Sequence, residues 1–250
     1  MRQGTVKIII SAVLVFGSAP LAVVFLLLHY PLRQQLGPVL IQVLARGVLA
    51  IWRLRPTLSG PPLRCPDPRR AVLVVANHVS FLDIAVMAAM FRAVFVSKRE
   101  VLFWPFVGVF GALAGVLYLD RSQMRQRVKM LKTVSRHLRP GRVVCVFPQG
   151  TTSAGTSPRP FQRGIFKTLD VNPALCLLPV TLAYAGRGDA AWQDESMMAN
   201  ALRIGADPAL TVTVMRHPPL TAEECRRRDT AAIARQVEQT VLAPLMEASP

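Results

Sequence analysis

Short runs of β-branched and apolar residues alternate with longer stretches of helical periodicity through most of this chain, and that alternation restricts the fold most. The runs Ala71–Ala76, Ala93–Ser97, Val116–Leu119, Val143–Phe147, Leu175–Tyr184 and Leu210–Met215 predict strands. Between and after them, Ile84–Phe91, Trp104–Leu113, Ser122–Leu138, Phe161–Leu169, Glu195–Leu202 and Thr221–Met246 predict helices. Strands that read as near-continuous apolar runs and are joined by helices belong to α/β layers with a largely parallel, buried sheet. At 250 residues the chain is long enough for one such domain and an accessory segment.

The accessory segment is N-terminal. Ile8–Leu28 is 21 residues without a charge, just enough to cross a bilayer core, with Pro20 placed to kink it or turn it back. A cleaved signal peptide competes with this reading, but the small-x-small pattern Gly17–Ala19 lies inside the run and is followed by Pro20. Arginines are concentrated after the run, at positions 33, 46, 53, 55, 64, 69 and 70, which predicts that the body lies on the cytoplasmic side of the inner membrane. Leu32–Leu54 reads as an amphipathic helix resting at the interface; a core-covering helix of a soluble domain would share the pattern. A Pro-rich linker, Pro56–Pro68, closes this part, dividing the chain into membrane-anchoring helices at 1–56 and a body at 57–250. Charge agrees with an anionic partner: 30 Lys and Arg face 14 Asp and Glu, for +16, while 52% of residues are hydrophobic.

Several chemistries are excluded by pattern. Cys65, Cys145, Cys176 and Cys225 are scattered, without C-x-x-C or metal spacing. No G-x-G-x-x-G follows a strand, and neither a P-loop nor a G-x-S-x-G elbow is present.

Four other constellations remain. Asn77-His78-Val79-Ser80-Phe81-Leu82-Asp83 follows the run AVLVVA and opens a helix. Sites in open α/β sheets form at the carboxyl ends of strands, where an imidazole serves as general base and a carboxylate fixes its tautomer. Ser80-x-x-Asp83 equally has the spacing of a helix-start capping box, and spacing does not separate the two roles. Phe147-Pro148-Gln149-Gly150-Thr151-Thr152-Ser153 follows VVCVF; its backbone N–H groups suit a phosphate or an oxyanion, or it is an ordinary turn. Gly115 to Leu119 delivers Asp120 and Arg121 to a strand end, where arginine suits phosphate or merely solvates the strand. Pro179-Val180, inside LLPVTLAY, suggests a bulge or an edge strand.

Taken in order, these blocks resemble the lysophospholipid acyltransferase family, typified by 1-acylglycerol-3-phosphate O-acyltransferase, over about Ala71 to Tyr184. N-H-x-x-x-x-D matches Asn77, His78 and Asp83. The second block is similar to Lys98, Glu100, Pro105, Gly108, Gly115, Asp120 and Arg121. F-P-E-G-T-R-S stands here as Phe147 to Ser153, with Gln149 for the family's Glu and Thr152 for its Arg. Pro179-Val180 matches the fourth block. The T-T-S ending is similar to acyltransferases acting on lyso-ornithine lipid, whose headgroup lacks the glycerol phosphate.

The resemblance implies a glycerolipid acyltransferase fold: a mixed, largely parallel sheet flanked by helices, with an N-terminal membrane-associated helical segment. It implies transfer of an acyl group from acyl-CoA or acyl carrier protein to a lysolipid hydroxyl, with 1-acylglycerol-3-phosphate the first candidate acceptor and lyso-ornithine lipid the second. His78 and Asp83 become the catalytic pair. Asn77, Ser80, Lys98, Arg121, Gln149, Gly150, Thr151 and Thr152 become substrate-binding residues. No metal or bound cofactor is expected, because the thioester supplies the activation. Membrane lipid and the acyl donor are the expected partners, and nucleic acid is not, since no recognition motif accompanies the basic residues. A catalytically weak lipid-binding relative is the remaining alternative, with Gln149 as its mark.

Overall fold

A computed structural model describes residues 2–18, 20, 29–61, 70–103, 111, 116–119, 124–152, 158–172, 174–186, 190–192, 195–226 and 228–247. Among them eight strands form one sheet: β1 (Pro56–Ser59), β2 (Ala71–Ala76), β3 (Ala93–Lys98), β4 (Leu117–Leu119), β5 (Val143–Val146), β6 (Leu175–Ala185), β7 (Thr211–Arg216) and β8 (Leu220–Thr221). The spatial order is β1-β7-β6-β2-β5-β3-β4, with β8 paired to β6. Strands β6, β2, β5, β3 and β4 run parallel; β7 and β8 pair antiparallel to β6, and β1 pairs parallel to β7. The sheet is therefore mixed and largely parallel.

The helices are α1 (Arg2–Gly17), α2 (Tyr30–Trp52), α3 (Leu82–Met90), α4 (Met124–His137), α5 (Thr168–Val171), α6 (Met197–Gly205), α7 (Ala222–Arg226) and α8 (Thr230–Glu247). Both faces of the sheet are covered. Leu73 and Val75 of β2 point to a core shared with Val134 of α4, Phe166, and Val237 and Val241 of α8. Val74 and Ala76 point to the opposite core, with Val86 and Met87 of α3, Leu49 and Trp52 of α2, and Ile204 of α6. Period-two alternation in β2 thus feeds two apolar layers, as a sheet buried on both sides requires.

Four expectations change. Pro56–Ser59, read as linker, is an edge strand whose side chains are mostly exposed; pairing with β7, not burial, holds it in the sheet. The helix expected over Thr221–Met246 divides into β8, α7 and α8, and that over Phe161–Leu169 begins as a 3-10 turn at Arg163–Lys167. Pro179 lies not on an edge but in β6, between β2 and β7. Its missing N–H falls between the residues bonded to β8 (Cys176, Leu177) and those bonded to β7 (Val180 onward), where that side of the ladder is interrupted. The helix expected at Trp104–Leu113 lies, apart from Gly111, outside the described residues, as does the Leu21–Leu28 end of the uncharged run.

The N-terminal helices are packed onto the body. On α2, Gln42, Ala45, Leu49 and Trp52 are buried, and Gln42 Nε2 donates to the Ala89 carbonyl at the end of α3 (3.0 Å). Within α1, Lys7 Nζ donates to the carbonyl of Gly205 (2.9 Å), the last residue of α6, and Ser11 Oγ accepts from Trp52 Nε1 (3.1 Å). The outer side of α1 carries Val6, Ile9, Ile10, Val13 and Phe16, all exposed.

Candidate active site

β6 continues beyond the end of β2: Ala76 is opposite Val180, yet β6 runs to Ala185. Where the β2 backbone leaves the sheet, the Asn77 side chain takes its place. Its Nδ2 donates to the Leu182 carbonyl (2.9 Å) and its Oδ1 accepts from the Leu182 N–H (2.7 Å). Asn77 is fully buried. Both ends of its amide are engaged by the Leu182 backbone, so the side chain holds the turn in place.

The turn then presents His78 at the carboxyl ends of the parallel strands. The ring stacks on Phe147, just past β5, with centroids 4.4 Å apart and planes 20° from parallel. His78 Nδ1 lies 2.8 Å from Asp83 Oδ2. Since an ionised carboxylate only accepts, the shared proton belongs on Nδ1 and the lone pair on Nε2. His78 retains 15% side-chain exposure, while Asp83 is fully buried.

A buried carboxylate is costly unless every lone pair finds a donor. Asp83 Oδ2 also accepts from the N–H groups of Val79 (2.7 Å) and Ser80 (2.9 Å), and Oδ1 accepts from the Tyr184 hydroxyl (2.7 Å). Position in the first turn of α3 adds the favourable end of the helix dipole. The carboxylate therefore reaches back over the helix start and orients the imidazole at once; only this half of a capping box forms, since the N-cap is Phe81, without a side-chain cap bond, and Ser80 Oγ does not accept from the Asp83 N–H. Ser80 is fully buried, and its Oγ accepts from the Leu82 N–H (3.3 Å), which shapes the turn.

The Phe147–Thr152 turn lies beside this loop. Gly150 has φ +77°, and its N–H closes the turn on the Phe147 carbonyl (3.0 Å), leaving it unavailable to an oxyanion. Gln149 is 4% exposed. Its Oε1 accepts from the His78 N–H (2.5 Å) and its Nε2 donates to the Arg159 carbonyl (3.1 Å), so it braces two stretches of backbone. Thr151 and Thr152 are half-buried at the mouth of the turn, and the Thr151 N–H has no acceptor among the described residues. Lys98 is exposed at the end of β3; Asp120 and Arg121 lie outside the described residues.

Two contributors escaped the sequence reading. Tyr184 comes to Asp83 from β6, 101 residues away in sequence, and nothing local marks it. Trp192 donates its N–H to the Val79 carbonyl (2.8 Å), pinning the loop from outside. Burial first, then the Asp83 charge and hydrogen bond, push the Tyr184 phenol well above its ordinary range, so it stays a donor. Burial and the Asp83 charge also push the nearby Cys145 thiol up, which removes it as a nucleophile.

The described site is thus an oriented imidazole beside a turn with an open N–H, suited to deprotonating a hydroxyl and steadying an oxyanion. Residues 63–182 match the family model described as Acyltransferase. The chain is 30% identical over 205 residues to a 1-acyl-sn-glycerol-3-phosphate acyltransferase of Neisseria meningitidis, covering 80% of this chain and 78% of that one. It is also 30% identical over 208 residues to a lyso-ornithine lipid O-acyltransferase of Rhodobacter capsulatus, covering 78% and 72%. Among solved structures, that of the 1-acyl-sn-glycerophosphate acyltransferase of Thermotoga maritima superposes with a TM-score of 0.71 over 98% of this chain and 94% of that one; at 16% identity the likeness concerns the fold.

Proposed function

The chain belongs to the acyltransferase family, and on that premise we propose that it moves a fatty acyl group from an acyl thioester to the free hydroxyl of a lysolipid, with His78 as base. The observation that carries this is the His78–Asp83 contact, which leaves Nε2 open at the carboxyl ends of the sheet. Nε2 takes the proton of the acceptor hydroxyl while its oxygen attacks the thioester carbonyl carbon. The Asp83 carboxylate stabilises the imidazolium, and the Thr151 N–H faces the tetrahedral oxyanion. Collapse breaks the C–S bond, and the imidazolium returns its proton to the departing thiolate. No metal or bound cofactor enters, since the thioester carries the activation; acyl-CoA or acyl carrier protein is the donor.

The first acceptor is 1-acylglycerol-3-phosphate, giving phosphatidic acid, with Lys98 and Arg121 holding the phosphate. A specific observation favours a second, lyso-ornithine lipid: Thr152 stands where the resembling block carries a phosphate-binding arginine. Both acceptors reside in membranes, and the exposed apolar row on α1 supports action at a bilayer, with the body on the cytoplasmic side as the arginine distribution suggests.

The test is transfer from labelled acyl-CoA and acyl carrier protein by detergent-purified protein, with lysophosphatidic acid and lyso-ornithine lipid compared side by side. His78→Ala is expected to lower turnover by roughly 10²–10⁴-fold. Asp83→Asn is expected to do likewise while remaining folded, because the amide oxygen still accepts from Val79 and Ser80. Near-normal turnover by His78→Ala overturns the assignment of the base. Binding of lysolipid without transfer by the wild-type chain identifies the inactive relative instead.

A further inference from the structure

The residue that departs from the acyltransferase pattern at position 149 sits between two groups of opposite demand. On one side is an N–H, that of His78, which needs an acceptor; on the other is a carbonyl, that of Arg159, which needs a donor. A neutral amide has one of each. Its orientation is fixed as well, since turning it over would set NH₂ against N–H and oxygen against oxygen. Gln149 is nearly buried, so its own amide has little access to water in place of these partners.

We propose that Gln149 is a positioning residue whose amide ties the His78 backbone to the 158–160 segment at the spacing acyl transfer requires, and that an ionised Glu cannot replace it. This rests on the acyl-transfer reading and deepens it. The substitution is then no sign of lost catalysis: in this chain the amide is the fitting side chain. A carboxylate there would still accept from His78 N–H, but its second oxygen would face the Arg159 carbonyl oxygen without a proton between them. It would also bring a second nearly buried negative charge to the loop that already holds Asp83. A protonated carboxylic acid, in contrast, copies the amide: its C=O accepts and its O–H donates.

The segments Gln149 bridges carry the ionisable groups His78 and Asp83 on one side and Arg159 on the other. Every comparison is therefore made against the wild-type chain at the same pH, which divides out their own titration. The experiment follows Gln149→Glu and the similarly sized Gln149→Met from pH 8 to pH 5, by steady-state kinetics and by thermal unfolding in the same detergent. At pH 8, Gln149→Glu is expected to have kcat at least tenfold below wild type, with KM for both substrates changed less than threefold. Its kcat ratio and its melting deficit should both shrink towards wild type as pH falls. Gln149→Met should show a deficit that does not vary with pH. A Gln149→Glu chain as active as wild type at pH 8, or one whose melting deficit is absent or independent of pH, overturns the proposal. Should the wild-type chain transfer no acyl group to any lysolipid, the proposed function fails and the melting comparison still decides whether the amide is required at this position.

Discussion

The hydroxyl of Tyr184 donates to the Asp83 oxygen that faces away from His78, so the carboxylate is held from both sides. Ionising that phenol would set two anions 2.7 Å apart in a buried place. The linkage has a definite sign. An unfolded tyrosine loses its proton near pH 10, whereas Tyr184 in the folded chain holds it well beyond. Stability from this group is complete below about pH 10 and falls as pH rises further, because the folded chain then binds more protons than the unfolded one. Tyr118, raised to about 12 by burial, adds to the same alkaline slope. Tyr184→Phe is expected to cost about 1.5–3 kcal/mol at neutral pH, the worth of a hydrogen bond to a charged group. It should also melt with a shallower decline than wild type between pH 10 and 11.5; parallel declines in the two proteins would deny Tyr184 this role. At this scale the sequence exposes residues that act on near neighbours, such as His78 and Asp83 five positions apart. It hides Tyr184, and it hides the partners of Asn77 and Gln149, which only the folded sheet brings together.

Secondary structure divides in the same manner. Strands β2, β3, β5 and β6 are legible because each has a largely buried apolar run, and a run of that length between helical patterns has few other uses; β7 is legible from the alternation in TVTVMR, which buries Val212 and Val214. β1 is not legible, since Pro56–Ser59 is short and mostly exposed and only a partner strand makes it one. The uncharged stretch beginning at Ile8 does not mark where the helix starts. α1 begins at Arg2, because its first turns are held by α6 and not by lipid-like composition. The approach is close: a Cβ on Gly4 would lie 2.7 Å from the Leu202 carbonyl oxygen, and one on Gly205 would lie 2.8 Å from Gly4 Cα. Lys7 completes the joint at the negative end of the α6 dipole. Gly4→Leu is therefore expected to destabilise the protein by about 1–3 kcal/mol, the usual cost of overpacking against backbone. Gly17→Ala, with nothing among the described residues within 4 Å of the added Cβ, should be neutral or slightly stabilising in the same melting assay. Equal behaviour of the two variants would mean that α1 is not docked on α6.

Across the whole molecule, the docking of α1 and α2 joins a reactive loop to an apolar outer surface. α3 carries Asp83 at its start and receives Gln42 of α2 at its end, while α1 is fastened to α2 through Ser11 and Trp52. The exposed row Val6, Ile9, Ile10, Val13 and Phe16 recurs every three or four residues, which places it along one side of α1. An unbroken apolar side on a chain of net charge +16 is the arrangement that binds anionic bilayers, apolar area and charge adding their effects. Burying one such side chain contributes about 1.5–3 kcal/mol, so placing charges at two of them should cost at least a hundredfold in partitioning. Ile9→Asp combined with Val13→Asp is expected to abolish sedimentation with anionic phospholipid vesicles. Acyl transfer to lysolipid dispersed in detergent micelles should stay within about threefold of wild type, because both side chains lie on the exposed side of α1. Raising salt should weaken vesicle binding of the wild-type chain only in part, since screening acts on the charge and not on the apolar row. Binding undiminished by the two aspartates would show that some other surface meets the membrane.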